Sequence, residues 1–256
     1  MTDSTTTASL NLAGAAHERA EPEARGRQFW RSLLRSAKGL TGAVLLAIAI
    51  VSTLAAPLIA PYDPTAQSVK AKFAQPSFVD PDSGHLFGGD NLGRDLFSRV
   101  LYGGRASLAI GVLATTIAAV LGSILGGIAG FQGGPIDSII MRLVDLQLSI
   151  PFILLALIFL AILGPGFWSV FAALSVALWV NYARLIRGET LKIREAEYVL
   201  AAKTTGLGPA RILAIHILPN VLHAILILAT LDMAWVIIFE SSLTFLGLGI
   251  QPPTPT

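Results

Sequence analysis

The fold is decided by residues 146–183, which read LQLSIPFILLALIFLAILGPGFWSVFAALSVALWVNYA and contain no charged side chain. A run of 38 uncharged, mostly apolar residues is too long for a single membrane crossing. Gly164, Pro165 and Gly166 divide the run, because these residue types favour turns. The sequence therefore predicts two membrane spans here, one near 143–163 and one near 167–183.

Other apolar segments lie on either side of this region. Residues 39–60 are uncharged and would extend about 33 Å as a helix, enough to cross a bilayer core. Residues 106–136 are also uncharged, and Gly122, Gly126 and Gly130 repeat there at a spacing that lets another helix pack closely. We predict an all-α integral membrane protein, a polytopic helical bundle with five spans near 39–60, 104–130, 143–163, 167–183 and 217–246.

The composition supports this fold class. Hydrophobic residues make up 54% of the 256 residues, and 13% are charged, about half the usual share of a soluble domain. These values exclude a disordered chain, a nucleic-acid-binding domain and an ordinary cytosolic enzyme. The absence of cysteine excludes disulfides, thiol catalysis and thiolate metal sites.

The polar residues 1–38 are predicted to form a cytoplasmic tail ahead of a transmembrane domain over 39–256. Within the tail, residues 27–38 place apolar and basic side chains on opposite helical faces, which predicts an amphipathic helix at the membrane interface. The apolar face holds Phe29, Trp30, Leu33, Leu34 and Ala37, and the basic face holds Arg27, Arg31, Arg35 and Lys38.

The distribution of Lys and Arg sets the orientation. Thirteen of these residues fall in the tail, the 131–142 turn and the 184–211 loop, and five fall in residues 61–105. Cytoplasmic segments carry the excess of Lys and Arg, so the N-terminus and the loop over 184–216 are predicted to lie in the cytoplasm. Five spans from an inside start place the C-terminus outside.

This cytoplasmic loop contains an ordered pattern. Ala201 and Ala202 follow helix-forming residues, Gly206 and Gly208 break the helix, and Pro209 suits the first turn of the next. The spacing predicts helix, turn and helix, with a small-residue surface at the bend that a protein partner could approach closely. By composition alone, a basic loop that only sets the topology is the better explanation. The ordered spacing of Ala-Ala, Gly and Leu-Pro favours a specific contact instead.

At these residues the sequence resembles the ABC importer permeases. The spacing of Ala201-Ala202, Gly206 and Leu218-Pro219 is similar to their EAA loop, which docks into the ATPase subunit. Residues 85–99, HLFGGDNLGRDLFSR, resemble the segment before the second span of peptide-importer permeases. Residues 240–249, ESSLTFLGLG, with QPPTP at 251–255, resemble the C-terminal signature of those permeases. From about residue 39 onward, the chain resembles the second permease subunit of dipeptide, oligopeptide or nickel importers.

The resemblance implies a type I ABC importer-like fold and a permease subunit that forms half of a peptide pathway across the bacterial plasma membrane. The implied partners are a companion permease subunit, two ATP-binding subunits that hold ATP and Mg²⁺, an extracytoplasmic substrate-binding protein and membrane lipid. Neither a cofactor in this chain nor a nucleic-acid partner is expected. The implied ATPase-coupling residues are Glu197, Tyr198, Ala201, Ala202, Gly206, Leu207, Gly208, Arg211 and Pro219.

Two points stay open at this stage. The family normally has a sixth span after the Pro-Pro-Thr-Pro segment, so either the chain is truncated or the subunit ends outside. The sequence also does not separate a dipeptide cargo from a longer peptide, nickel or haem.

Charged residues in and near the spans suggest further sites. Asp232 and Glu240 are eight residues apart, about two helical turns, and therefore share a face of the fifth span. A carboxylate in hydrocarbon costs about 2.5–3.5 kcal/mol, so each should face water, a cavity or a partner. They line either a translocation pathway for a zwitterionic peptide or a structural contact. In the outer loop, Asp90, Arg94 and Asp95 either dock the substrate-binding protein or order the loop by bonding with one another, and we favour the second.

Motifs for chemistry are missing. The sequence has no Gly-x-x-x-x-Gly-Lys-Ser/Thr phosphate loop, no His-Glu-x-x-His metal motif and no Gly-x-Ser-x-Gly elbow. We expect no catalytic residue and no metal site, and ATP hydrolysis is expected in partner subunits. The alternative function is a self-sufficient secondary transporter or channel that uses Asp232 and Glu240 as ion sites. Such transporters typically contain internal repeats, and we find none.

The orientation can be tested with single cysteines, because the chain contains none of its own. In intact cells, an impermeant thiol reagent should label Ser68→Cys in the outer loop and leave Thr204→Cys in the cytoplasmic loop unlabelled. Permeabilised cells provide the control, in which both positions should react. Labelling of Thr204→Cys but not Ser68→Cys in intact cells would reverse the predicted topology.

Overall fold

A computed structural model describes residues 36–255. The predicted amphipathic helix lies almost wholly outside these residues. Contacts between Cα atoms divide the chain into two units, Met1–Ala55 and Ala56–Thr256. In the first unit, helix α1 (Ala37–Leu54) is capped by Ser36, whose hydroxyl oxygen accepts a hydrogen bond from the N–H of Gly39 at 3.2 Å. Its 18 residues extend about 27 Å, close to the thickness of a bilayer core.

The second unit is built from helices. A segment with 3₁₀ turns at Val69–Ala71 and Pro81–Ser83 separates its first helix from its second, and short connections join the others. In chain order the helices are α2 (Ala56–Ile59), α3 (Leu96–Gln132), α4 (Gly134–Leu148), α5 (Phe152–Leu163), α6 (Phe167–Ile193), α7 (Glu197–Thr204), α8 (Pro209–Ile212) and α9 (Leu218–Phe245). A π-helical turn, Leu213–Ile217, joins α8 to α9.

The third span is not the single helix predicted over 143–163. The chain breaks between α4 and α5, and the axes of the two helices differ by 88°. Pro151 explains the break, because proline has no N–H to donate and disfavours the helical conformation of the residue before it. Helix α5 alone has 12 residues and extends about 18 Å, well short of a bilayer core of about 30 Å.

Two helices extend beyond the spans predicted for them. Helix α6 continues ten residues past the predicted end at Ala183, so the first third of the predicted loop over 184–216 is helical. Charged residues end the apolar run there, but they are good helix formers and do not end the helix. Helix α3 begins at Leu96, eight residues before the predicted start, because the side chain of Asp95 caps it by accepting from the N–H of Ser98 at 2.8 Å.

Helices α3 and α6 pack side by side and run in the same direction. The positions of Gly122, Gly126 and Gly130 face successive turns of α6, from Trp179 to Thr190. A Cβ atom on Gly126 would overlap the carbonyl oxygen of Ala183. This confirms that the glycine repeat permits close helix packing. Since α3 and α6 are parallel, α4 and α5 together must carry the chain back across the membrane.

Helix α9 packs against α3 in the opposite direction. The hydroxyl of Ser107, near the start of α3, donates to the Glu240 carboxylate near the end of α9 at 2.8 Å. Gly127, near the end of α3, faces Leu213 just before α9. The core lies where α3, α5, α6 and α9 meet, and its fully buried residues include Ile110, Leu160, Leu174, Tyr182, Val236 and Leu243.

In the described part of the chain, four helices or continuous helical segments are long and apolar enough to cross a membrane. They are Ala37–Leu54, Leu96–Gln132, Phe167–Ile193 and Pro209–Phe245. The bent pair α4–α5 supplies a fifth crossing, in agreement with the predicted all-α polytopic fold.

The glycine contact gives a matched pair of substitutions. Gly126→Ala should destabilise the purified subunit by about 1–3 kcal/mol, because the new methyl group meets the α6 backbone, which cannot move aside. Gly188→Ala should be neutral or stabilising by up to about 1 kcal/mol, because no atom lies within 4 Å of its Cβ position. Thermal unfolding midpoints in detergent measure both. Equal midpoints for the two variants would contradict the close packing of α3 against α6.

Candidate coupling surface

The predicted helix–turn–helix is present in residues 197–212. Helix α7 ends at Thr204, and the N–H of Gly206 then donates to the Lys203 carbonyl at 3.0 Å. The N–H of Leu207 donates to the Ala202 carbonyl at 3.2 Å. This pair of hydrogen bonds is a Schellman motif, which requires a residue with positive φ, and Gly206 has φ +81°.

The backbone conformation explains why glycine occupies position 206. Apart from Gly206 and its two chain neighbours, no atom of the described residues lies within 4 Å of the position that a Cβ on Gly206 would occupy. The left-handed backbone conformation is what favours glycine here. The space beside the turn is therefore open in the subunit and accessible to a partner.

One side of α7 is anchored in the protein. Val199 is fully buried and Ala202 nearly so, and both pack with Ile186 of α6 and with Ile212 and Ile217, which precede α9. Leu207, immediately after the turn, packs against the same cluster. The turn therefore lies on a small hydrophobic core that joins α6, α7 and the start of α9.

The other side of α7 is exposed. Tyr198 is 48% and Leu200 44% exposed, although both are large and partly or wholly apolar. Of the nine predicted coupling residues, Ala202 and Leu207 belong to the anchored side, and the other seven are exposed: Glu197, Tyr198, Ala201, Gly206, Gly208, Arg211 and Pro219. We call these seven residues together with Leu200 the α7 surface. The prediction omitted Leu200, whose spacing of three residues from Glu197 places it on the same helical face.

Cationic side chains connect α7 and the end of α6 to the neighbouring helices α3 and α4. Arg187 of α6 binds Asp137 of α4 through two nitrogens, with Nη2 2.6 Å from Oδ2. Arg194, just after α6, donates to the Gly130 carbonyl at the end of α3 at 3.0 Å. The ammonium of Lys203 lies 5.0 Å from the centre of the Phe131 ring. These contacts join residues that are distant in the chain, so sequence spacing does not reveal them.

The outer-loop residues bond with one another. The Asp90 carboxylate accepts from the N–H groups of Leu92 and Arg94, both at 2.9 Å, and from Nε of Arg94 at 2.7 Å. Asp95 caps α3 and contacts Nδ1 of His85 at 2.9 Å. Arg94 and Asp95 are buried. This arrangement supports the ordering role and leaves the two buried side chains unavailable for docking in this structure.

The Asp90 carboxylate is stable as an anion in this network. Burial acts to raise its pKa, but the N–H groups of Arg94 and Leu92 and the Arg94 guanidinium outweigh that effect and hold the pKa below its ordinary value. A lowered pKa means that the ionised form stabilises the fold at neutral pH. That contribution is lost only as the pH falls through the lowered pKa.

Asp232 and Glu240 are both buried within the subunit. Glu240 is 1% exposed and accepts hydrogen bonds from Ser107 and from Thr244, the latter at 3.0 Å. Asp232 is 6% exposed, and its Oδ2 atom has no hydrogen-bond partner among the described residues. Both carboxyls do lie on one face of α9, as predicted, but that face is turned into the subunit, which fits the structural alternative.

Taken together, the fold and the α7 surface define a polytopic membrane protein with an exposed, partly apolar surface of the kind that contacts other proteins. Residues 122–256 match the family described as binding-protein-dependent transport system inner membrane component. Residues 25–76 match the N-terminal transmembrane domain of oligopeptide transport permease C. The chain belongs to this family of binding-protein-dependent permeases of the inner membrane.

Curated relatives agree with this assignment. The dipeptide transport system permease protein of Bacillus subtilis is 40% identical over 224 residues, which are 88% of this chain and 68% of that protein. The di/tripeptide transport system permease protein of Pseudomonas aeruginosa is 36% identical over 90% of this chain and 76% of that protein. A putative peptide transport system permease protein of Brucella suis is 41% identical over 87% of this chain and 73% of that protein.

These findings decide between the two functions considered above. The chain is a permease subunit of an ABC transport system, and it works within a complex that contains other subunits. The self-sufficient secondary transporter or channel is not supported.

The turn after α7 allows a test of its backbone requirement. Gly206→Ala should destabilise the loop by about 1–2 kcal/mol, because an L-residue is strained at φ +81°. Gly208→Ala should have little effect, because Gly208 has φ −67° and no atom within 4 Å of its Cβ position. Hydrogen exchange of the α7 amides in the purified subunit measures the difference. Equal protection in the two variants would show that the Schellman turn does not hold α7 in place.

Proposed function

We propose that this chain forms half of the translocation pathway of an ATP-driven importer for peptides, with the companion half supplied by a second permease subunit. Two ATP-binding subunits hold ATP and Mg²⁺ and hydrolyse the nucleotide, and an extracytoplasmic binding protein delivers the cargo. The names of the curated relatives support a dipeptide or short-peptide cargo. The excess of Lys and Arg supports a cytoplasmic N-terminus and a cytoplasmic α7 surface.

The observation that carries the proposal is the contrast between the two sides of α7. The anchored side of α7 packs against Ile186 of α6 and Val221 of α9 in one buried cluster. A displacement of α7 therefore moves these two membrane-spanning helices as well. The exposed side presents Tyr198 and Leu200 beside an open glycine turn. Exposed apolar side chains of this kind mark contacts with protein partners.

The mechanism is a two-state equilibrium that a ligand on a partner biases. ATP binding draws the two ATPase subunits together, and the α7 surface carries that motion into α6 and α9. The pathway then changes between inward-facing and outward-facing states. The coupling is mechanical, and no residue of this chain takes part in bond breaking. The contacts between the α7 surface and the ATPase subunits differ between the inward-facing and the outward-facing states of the permease.

The α7 surface can be blocked without straining its backbone. Gly208→Trp should lower ATP-dependent peptide uptake by membrane vesicles at least about tenfold, because a bulky side chain fills the open space beside the turn. The ATPase subunits should be lost from the purified complex or should hydrolyse ATP without transport. Gly208→Ala is the control, since it changes the same backbone position without filling the space.

Two outcomes would contradict the proposal. Normal uptake and normal ATPase stoichiometry in Gly208→Trp would remove the α7 surface from the mechanism. Wild-type uptake that collapses with the ion gradient while ATP is present would instead favour a gradient-driven transporter.

A further inference from the structure

A small cavity lies at the break between α4 and α5. Its volume is about 200 Å³, and its lining includes Gln147, Ile150 and Pro151 at the break and Ala177 and Asn181 on α6. No lining residue carries a charge. We call this cavity, with its lining residues, the α5 notch.

The lengths of the helices around it place the α5 notch between the two faces of the membrane. Helix α5 extends about 18 Å from the break at Phe152, so an α5 that stands along the membrane normal puts the break inside a core of about 30 Å. Asn181 agrees with this depth. Asn181 lies 14 residues, about 21 Å, along α6 from Phe167. Arg184, which pairs with Asp145 at 2.8 Å, follows less than one turn later. The notch therefore opens in the cytoplasmic half of the crossing.

The two amide side chains of the notch are used differently. Gln147 is fully engaged, because its Nε2 donates to the carbonyls of Val176 and Ala177 at 2.7 and 3.2 Å and its Oε1 accepts from Nε1 of Trp179 at 2.9 Å. It fastens the broken helix to α6. Asn181 is exposed, and its side chain makes no hydrogen bond with the described residues 36–255.

The backbone at the break also offers unused acceptors. Within the described residues, the carbonyls of Leu148 and Ile150, two residues that line the notch, accept no backbone hydrogen bond. Non-helical backbone at membrane depth is tolerated only where it is covered by protein or lines a water-filled cavity. An exposed amide is likewise costly against lipid. The notch therefore does not face lipid.

We propose that the α5 notch lines the translocation pathway and hydrogen-bonds the main-chain amides of a passing peptide, an inference that rests on the proposed function. Asn181 supplies one donor and one acceptor, and the carbonyls at the break supply further acceptors. A peptide bond presents the complementary N–H and C=O. Because every one of these groups is neutral, the notch has no preference for the charge of the cargo side chains.

The volume of the notch is suited to brief contact with a passing peptide, and it is too small to enclose one. Pockets that enclose a small ligand usually measure about 300–1,000 Å³, and the notch is smaller. It can contact only a short part of a peptide at one time. Weak contact of this kind allows a cargo both to enter and to leave a conduction pathway.

The first experiment measures access and contact. Asn181→Cys in the otherwise cysteine-free chain, assembled in the complete importer and reconstituted in vesicles, should react with a water-soluble thiol reagent. Val170→Cys, at a fully buried position of the same helix, should not react. During import of a dipeptide, the reaction at position 181 should slow several-fold. An unreactive Asn181→Cys would mean that a companion subunit covers the notch, and a reaction that the peptide does not slow would mean a vestibule without cargo contact. Either result would overturn the inference.

The second experiment measures which part of the cargo is recognised. Asn181→Leu should lower uptake about 2- to 10-fold, as expected for the loss of one hydrogen bond, with normal assembly and ATPase content. The factor should be the same for dipeptides with cationic, anionic and neutral side chains, and Asn181→Gln should restore part of the loss. Unchanged uptake, or a factor that depends on side-chain charge, would overturn main-chain recognition.

The two proposals fail in different ways. If the wild-type complex imports no peptide, the proposed function fails and the notch has no cargo to contact. If the wild-type complex imports peptides while the Asn181 variants behave like wild type, the importer stands and only the notch inference fails.

Discussion

The contact between α3 and α6 is formed to a large extent by backbone, because Gly122, Gly126 and Gly130 lie directly against the α6 chain. Lipid is as apolar as a leucine side chain, so no hydrophobic driving force holds two helices together in a bilayer. Close packing of backbones provides the attraction instead. Two helices that meet in this way run parallel here, and that direction determines the rest of the second unit. The segment that links α3 to α6 in the sequence must therefore cross the membrane in the opposite direction. Helix α9 also packs against α3 and runs antiparallel to it.

The same contact connects the membrane region to the α7 surface. Because α6 continues to Ile193, its last turns project beyond the apolar run and support α7 from below. Arg187 and Arg194 tie this extension to α4 and to the end of α3. A displacement of α7 is therefore shared by several helices and cannot be absorbed by one flexible loop. A mechanical coupling element requires a rigid connection to the membrane helices and a surface that a partner can contact. The buried and exposed sides of α7 have these two properties.

The sequence was informative wherever a single local property decides the outcome. Uncharged runs locate the spans, since hydropathy reports directly on burial in lipid. The Ala-Ala and Gly spacing located the turn after α7. The sequence was less informative where contacts between residues far apart in the chain determine the structure. Pro151 signals a break in the helix, yet the 88° bend depends on how α4 and α5 pack. The periodicity of α9 places Asp232 and Glu240 on one face, but only the neighbouring helices show that this face is buried.

The position of charge explains how a pathway of this kind could accept varied peptides. The uncharged runs of α3, α5 and α6 contribute no ionised group, and the two carboxyls of α9 are buried within the subunit. A fixed charge facing the pathway would hold peptides of the opposite charge and repel the others. The polar groups that remain exposed in these segments, such as Asn181, are neutral. Under the proposed function, a neutral surface with a few amide and carbonyl groups interacts with what every peptide shares, its main chain, whatever the charge of the side chains.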